Sequence, residues 1–300
     1  MIFLNGTTGL NTVEDPTSIN YDPKTGISDL AEAVNVQITP NGGIERVDGY
    51  SLLQSGEFHS IFCENNVDCV VGRTTTLQAV NNDYSLTGIR SGLSGERISF
   101  CQVGSTIAYT NGTQNGQINN KVSSSWFYSD PLNYKGREVT DVVPVAEHLD
   151  FFAGRIFFTL DNLLCWTEVG LWGLWLPKVA CIRLGYRIRM IKHVDNGMFA
   201  SDNTGTHYFS GKNPHAWQYN EVAKFPAYEW SDCPGHVEGM DIGLGQPGLC
   251  ALWCSPEGAI LGTPNGQIIN LNKEKVIYPE DGYYGAGCVL RGYQLIQSIF

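Results

Sequence analysis

Three hundred residues accommodate two ordinary domains or one large all-β domain. Apolar residues make up 42% of the chain and charged residues 16%, against a usual ~25% charged, so the chain can bury a sizeable core and is not a disordered protein. Nineteen basic against thirty acidic residues give a net charge of −11, which excludes a basic nucleic-acid binder and a partner for anionic membranes.

Thirty-four glycines, thirteen prolines and 11% aromatics describe strands joined by tight turns better than helices. Nine cysteines (63, 69, 101, 165, 181, 233, 250, 254 and 288) are an odd number and contain no CxxC, so they read as reduced thiols of a protein made in a cytoplasm. The opening Met1-Ile2-Phe3-Leu4 has no basic flank and does not read as a signal peptide. No apolar run approaches the ~18 residues of a membrane span.

Residues 1–56 differ from the rest. Asp15-Pro16 and Asn20-Tyr21-Asp22-Pro23-Lys24-Thr25-Gly26 are turn signals in an extended segment. Ser28-Asp29 reads as the cap of a short helical turn over Leu30-Ala31-Glu32-Ala33. Val34, Val36 and Ile38 alternate with polar residues as a strand does. Pro40-Asn41-Gly42-Gly43 predicts a hairpin turn, and Ile44-Glu45-Arg46-Val47 its return strand.

From residue 57 onward the chain repeats an apolar run, a Gly or Asn turn and a second run. The anchors are Val70, Ile107, Ile156, Met198 and Ile260, a period near 40–50 residues. The second unit pairs 106–110 with Trp126-Phe127-Tyr128-Ser129-Asp130-Pro131. The stretches 219–235 and 235–248 read as long loops, the first a candidate docking site. Gly285–Leu290 and Tyr293–Ile296 supply two last strands. The expected fold is therefore all-β, a β-propeller of about six short antiparallel blades over 57–300, closed by N- and C-terminal strands. The 1–56 segment would pack onto it or close it. An irregular β-sandwich or two β domains are the competing architectures.

Chemistry is sparse along the chain. His207 and His215 stand eight apart with no third ligand nearby, and read as ordinary strand and turn histidines. Cys250 and Cys254 would share one face of a strand as buried thiols. Gly243-Leu244-Gly245-Gln246-Pro247-Gly248 matches GxGxxG, but has neither a buried strand before it nor a helix after it. Glu168 with Trp166, Trp172 and Trp175 suits either sugar binding or packing between blades, with packing favoured. No catalytic, cofactor-binding or metal-binding residue is assigned, no cofactor is implied, and the expectation is a protein that is not an enzyme.

The N-terminal segment carries a resemblance. Gly9-Leu10-Asn11, Asp15-Pro16-Thr17-Ser18-Ile19, Leu30-x-x-Ala33-x-Asn35-Val36 and Gly43-Ile44-Glu45-Arg46-x-x-Gly49-Tyr50 resemble the opening of tailed-bacteriophage virion propeller proteins. These are the tail nozzle and the packaged-DNA stabilisation proteins. Tyr128-Ser129-Asp130-Pro131 and Tyr208-Phe209-Ser210-Gly211 resemble elements of their blades. The resemblance implies a structural virion protein of the tail, made in the host cytoplasm. It would form a self-assembled ring, taken as a hexamer, against portal, adaptor or other tail proteins and possible tail fibres. It would line part of the DNA exit channel, passing DNA during ejection without specific binding and without membrane insertion. An acidic lumen would repel phosphates rather than grip them. The alternative function is a carbohydrate-binding or glycan-cleaving propeller used in receptor recognition, which an acidic cluster on the propeller axis would favour.

Overall fold

The computed structural model describes residues 51–64, 67–127, 141–236 and 248–272 continuously, together with 6–13, 15, 21–22, 24, 27–32, 34, 36–38, 43–46, 276, 284–290 and 293–299. The chain is all-β, organised as successive antiparallel sheets. None of its helices is long and apolar enough to cross a membrane, among the described residues.

The N-terminal strands are β1 (Gly6–Leu10), β2 (Tyr21–Asp22), β3 (Ile27–Leu30), β4 (Val36–Ile38) and β5 (Ile44–Arg46). They pair among themselves, as a three-stranded sheet β1-β3-β2 and a hairpin β4-β5. The helical turn expected at Leu30–Ala33 is not formed: Leu30 belongs to β3, paired with Leu10 of the parallel β1. The two residues expected to cap that turn are engaged elsewhere. Ser28 Oγ donates to the carbonyl of Asp29, and Asp29 accepts from Asn11 Nδ2 at 3.0 Å. The 44–46 return strand forms in register with 36–38. The turn at 40–42 and Val47 lie outside the described residues.

Five sheets follow. The first holds β6 (Phe58–Phe62), β7 (Val70–Arg73), β8 (Thr76–Val80) and β9 (Leu86–Arg90) in sequence order. The second holds β10 (Ser99–Val103), β11 (Thr106–Thr110), β12 (Asn115–Asn119) and β13 (Val122–Ser124). In the third, β15 (Leu149–Phe152), β16 (Arg155–Leu160), β17 (Leu163–Glu168) and β18 (Leu171–Trp175) run in order. The third sheet is extended by β14 (Asp141–Val142) on β18 and β19 (Cys181–Arg183) on β17. The fourth holds β20 (Ile188–Val194), β21 (Gly197–Asp202), β22 (Thr206–Ser210) and β23 (Gln218–Ala223). The fifth holds β24 (Cys233–His236), β25 (Leu249–Ser255), β26 (Gly258–Gly262) and β27 (Ile268–Asn270). The hairpin of β28 (Tyr284–Leu290) and β29 (Tyr293–Ile299) packs against β24 and β25. No N-terminal strand joins it among the described residues.

Four of the five repeat anchors fall on the second strand of their sheets, Val70 on β7, Ile107 on β11, Ile156 on β16 and Met198 on β21, whereas Ile260 lies on β26, the third strand of the fifth sheet. One pairing differs from expectation. The return strand of the second unit is β12, directly after the Asn111-Gly112 turn, and Trp126 instead packs between sheets, donating Nε1–H to the Trp172 carbonyl. Tyr128–Pro131 lie outside the described residues. The expected 219–235 loop is also corrected, because β23 and β24 take up its two ends. Backbone pairing with Thr206–Ser210 draws 218–223 into the sheet.

The third and fourth sheets are covered on both faces, which is why their central strands β16 and β21 are buried almost without a break, whereas β8, β10 and β12 alternate. Ile156 and Phe158 of β16 join Cys101, Val103 and Ala108 of the second sheet, while the intervening Phe157 joins Met198, Ala200 and Phe209 of the fourth. Phe199 meets Trp253 of the fifth sheet at 5.3 Å between ring centroids. Val70 and Leu77 of the first sheet pack on Ile107 and Ile118 of the second.

A polar thread joins successive sheets, through their leading strands except at the last link, where Asp195 follows β20 and Leu249 opens β25. Ser60 Oγ accepts from Ile98 N, and Ser99 Oγ from Leu149 N, both at 2.8 Å. Asp150 Oδ2 accepts from His193 N at 2.6 Å, and Asp195 Oδ2 from Leu249 N at 2.8 Å. Each link joins a side-chain oxygen of one sheet to a backbone N–H of the next. Replacing Ser99 by Ala should lower unfolding free energy by about 1–3 kcal/mol, because the buried Leu149 N–H loses its acceptor. Denaturant titration of Ser99→Ala against Ser124→Ala, on the exposed β13, measures it; equal midpoints would refute the linking role.

Candidate functional site

The segments that lead into the inner strands converge on one cavity of about 570 Å³. Arg97 stands two residues ahead of β10, Glu147 two ahead of β15, and Arg187 one ahead of β20. Glu229 and Trp230 come from the connection before β24, and Tyr284 opens β28.

Arg187 is the hub. Its Nε donates to Glu147 Oε2 at 3.0 Å, and its two terminal nitrogens reach Glu229 at 3.1 and 2.8 Å in a two-pronged pair. Glu229 is buried, its side chain 7% exposed, and His148 Nε2 lies 3.4 Å from the same Oε1. Burial alone would raise the Glu229 carboxyl. Hydrogen bonds and charge from His148 and Arg187 outweigh it and hold the group down at about 2. The same pair raises Arg187, through the Glu229 hydrogen bond above all and against its own burial. Trp230 sits at φ 67°, a left-handed backbone that is costly for a bulky residue. It is held there by its ring, 4.6 Å from that of His148, and by Ser231, whose hydroxyl donates to Tyr228 O and accepts from Cys254 N. Arg97 donates Nη1–H to Gly285 O at 2.6 Å, and Gly285 N donates to Glu229 O. The C-terminal hairpin is thereby tied to the second and fifth sheets at once.

Deeper along the same inner strands lies a second set. Lys192 Nζ is 3.3 Å from Asp232, and His193 Nδ1 is 2.8 Å from Asp150. Burial would lower Lys192, but Asp232 and Asp150 raise it. Burial would raise Asp150, but His193 and Lys192 lower it. Every charge there has an opposite neighbour, as buried ions require.

Residues singled out from the sequence lie elsewhere. Trp166 is buried between the third and fourth sheets; Trp172 packs between the second and third, and Trp175 borders both cores. Glu168 pairs with Arg155 at 3.6 Å rather than facing a groove. His207 lies on β22, 3.6 Å from Asp202, and His215 stacks edge-on against Trp166. Cys250 and Cys254 are both buried on β25. Residues 243–247 of the GxGxxG stretch lie outside the described residues. Among the described residues, no group of three or more His, Cys, Asp or Glu is arranged to hold a metal ion. The cavity's charges were missed because they are far apart in sequence. Their one signal is positional: Arg97, Glu147 and Arg187 each precede the leading apolar strand of a repeat.

No family model and no curated protein matches the chain. Solved structures do. The extracellular domain of a protein from B. thetaiotaomicron described as a one component system is similar with a TM-score of 0.51 at 10% identity. The match covers 85% of this chain and 34% of that one, so the chain spans about a third of that protein's length. Virginiamycin B lyase of Staphylococcus aureus, a β-propeller, has a TM-score of 0.45 at 11% identity over 77% of this chain and 74% of its own. A gluconolactonase of Xanthomonas campestris has 0.46 at 9% identity over 82% and 84%. At these identities the likeness concerns fold alone.

The Glu229 carboxyl makes a pH prediction. Its folded value lies below its ordinary 4.5, so its contribution is complete above about pH 4.5 and is lost as pH falls toward 2. The shift corresponds to about 3 kcal/mol. Glu229→Gln should flatten that part of the stability–pH curve. At neutral pH it should cost on the order of 2 kcal/mol, less than a fully buried pair because Arg187 is 40% exposed. Unfolding titrations from pH 2 to 7 on both proteins test this, and parallel curves would contradict it.

Proposed function

We propose that this chain is a structural component of a bacteriophage tail, assembling with copies of itself and with neighbouring tail proteins around the DNA exit channel. The observation that carries this reading is the N-terminal segment. Its strands hydrogen-bond to one another, and its described apolar side chains are largely uncovered: Val13, Ile27, Val34 and Ile44 are exposed, and Leu52, in the connection to β6, is 83% exposed. Such a row of uncovered apolar residues favours an assembling partner. The sequence resemblance to virion propeller proteins lies in this same segment.

In this reading the five sheets are blades of a propeller, and the hairpin β28-β29 occupies the sixth position. The bonds from Gly285 to Arg97 and to Glu229 support that placement, since they reach the second and fifth sheets together. The propeller is the rigid body and the N-terminal segment the assembly arm. The net charge of −11 suits a wall that DNA must slide past.

Size-exclusion chromatography with light scattering, and negative-stain microscopy, test the reading on the full chain. Rings are expected, with Val34→Asp plus Ile44→Asp giving monomers of unchanged melting temperature. A full chain that stays monomeric at high concentration, alone and with its portal or adaptor partner, would refute it.

A further inference from the structure

The charged cavity holds polar groups that its own ion pairs leave unused. Arg187 and Glu229 satisfy one another, but Glu147 meets Arg187 through Oε2 alone. Arg97 gives Nη1–H to a carbonyl and has no carboxylate within ion-pair distance among the described residues. The cavity therefore offers several N–H donors on Arg97 and an acceptor on Glu147. Half-buried Trp230 and exposed Tyr284 bring aromatic rings to the same wall.

The charge of the cavity narrows the ligand. Glu96, Glu147 and Glu229 stand against Arg97 and Arg187, close to balance with a slight negative excess. A polyanion meets repulsion from the carboxylates. A cation finds Glu229 already occupied by Arg187. A neutral molecule with adjacent hydroxyls can use a guanidinium donor and a carboxylate acceptor together, and its C–H face can lie on an aromatic ring. The volume, about 570 Å³, is within the range of small-ligand sites.

We infer that this cavity binds a neutral saccharide unit, with Arg97 and Glu147 engaging neighbouring hydroxyls and Trp230 and Tyr284 packing on the apolar face of the ring. The site is separate from the N-terminal arm, so the inference does not rest on the assembly reading. Saturation-transfer NMR and calorimetry on the full chain test it. The probes are glucose, galactose, mannose, N-acetylglucosamine and their disaccharides, with glucuronic acid and sialic acid as the anionic set. A saturable neutral sugar is expected, weakened at least about tenfold by Tyr284→Ala and by Arg97→Lys. Melting temperature should be unchanged in Tyr284→Ala, whose side chain is exposed; that variant decides the matter if Arg97→Lys is unstable. Absence of any saturable neutral sugar at concentrations on the order of 10 mM would overturn the inference. So would binding of the acidic sugars alone, or binding indifferent to both variants. Light scattering on the same samples reports assembly independently, so loss of rings and loss of sugar binding are read apart.

Discussion

The constraint on which this architecture depends is the strand edge that each sheet turns toward the next. A sheet that packs face to face with its neighbours cannot share a backbone ladder with them, so one strand of each sheet turns its edge toward the interior. At Leu149 that edge is buried, and water cannot reach it freely. Ser60, Ser99, Asp150 and Asp195 answer the constraint with side-chain oxygens, each accepting an N–H of the following sheet. The apolar faces could slide over one another at little cost; a hydrogen bond 2.6–2.8 Å long, from one strand edge to the next, cannot. Register between sheets is thus fixed by four short polar contacts, while the bulk of the stabilisation comes from the aromatic and aliphatic layers between them.

The same geometry accounts for the charged interior. Asp150 is needed as an acceptor for His193 N, and once a carboxylate is buried there it must be compensated. His193 and Lys192 supply that charge from the neighbouring strand, and Asp232 balances Lys192 in turn. A chain of alternating charge along the inner strands follows from one strand-edge requirement. Toward the mouth it continues as Glu147, Arg187, Glu229 and His148. There the constraint relaxes, because Arg187 and Glu147 are partly open to solvent and need not be fully paired. Arg97 and Glu147 retain hydrogen-bonding capacity for that reason.

Much of the fold was legible in the sequence, for a physical reason. Burial on both faces makes runs such as Arg155–Leu160 and Gly197–Asp202 nearly solid in apolar residues, and tight turns at Asp161-Asn162 and Asn203-Thr204 punctuate them. The anchored strand, second in the first four sheets and third in the fifth, could be placed because it is almost wholly buried. Outer strands were harder. β12 and β23 are polar and partly exposed, so 115–119 was passed over and 219–223 resembled a loop. The N-terminal strand β3 was hidden by its own side chains: Ser28-Asp29 is a helix-cap pair by composition, and only the tertiary bond from Asn11 reveals its use. The charged cavity was not legible. Its members come from several separate connections and from β28, and share no local spacing.

Glu229 shows how site and scaffold depend on one another. Its backbone carbonyl receives Gly285 N and its side chain receives Arg187, so one residue ties the C-terminal hairpin to the approach of the fourth sheet. Trp230, next in the chain, could not hold its left-handed conformation without that anchorage on one side and Ser231 on the other. The ring that faces the cavity is positioned by the contacts that place the last hairpin beside the fifth sheet. A cavity wall built in this way cannot shift unless the hairpin shifts with it, which gives the mouth the rigidity that recognition of a small, weakly held ligand requires.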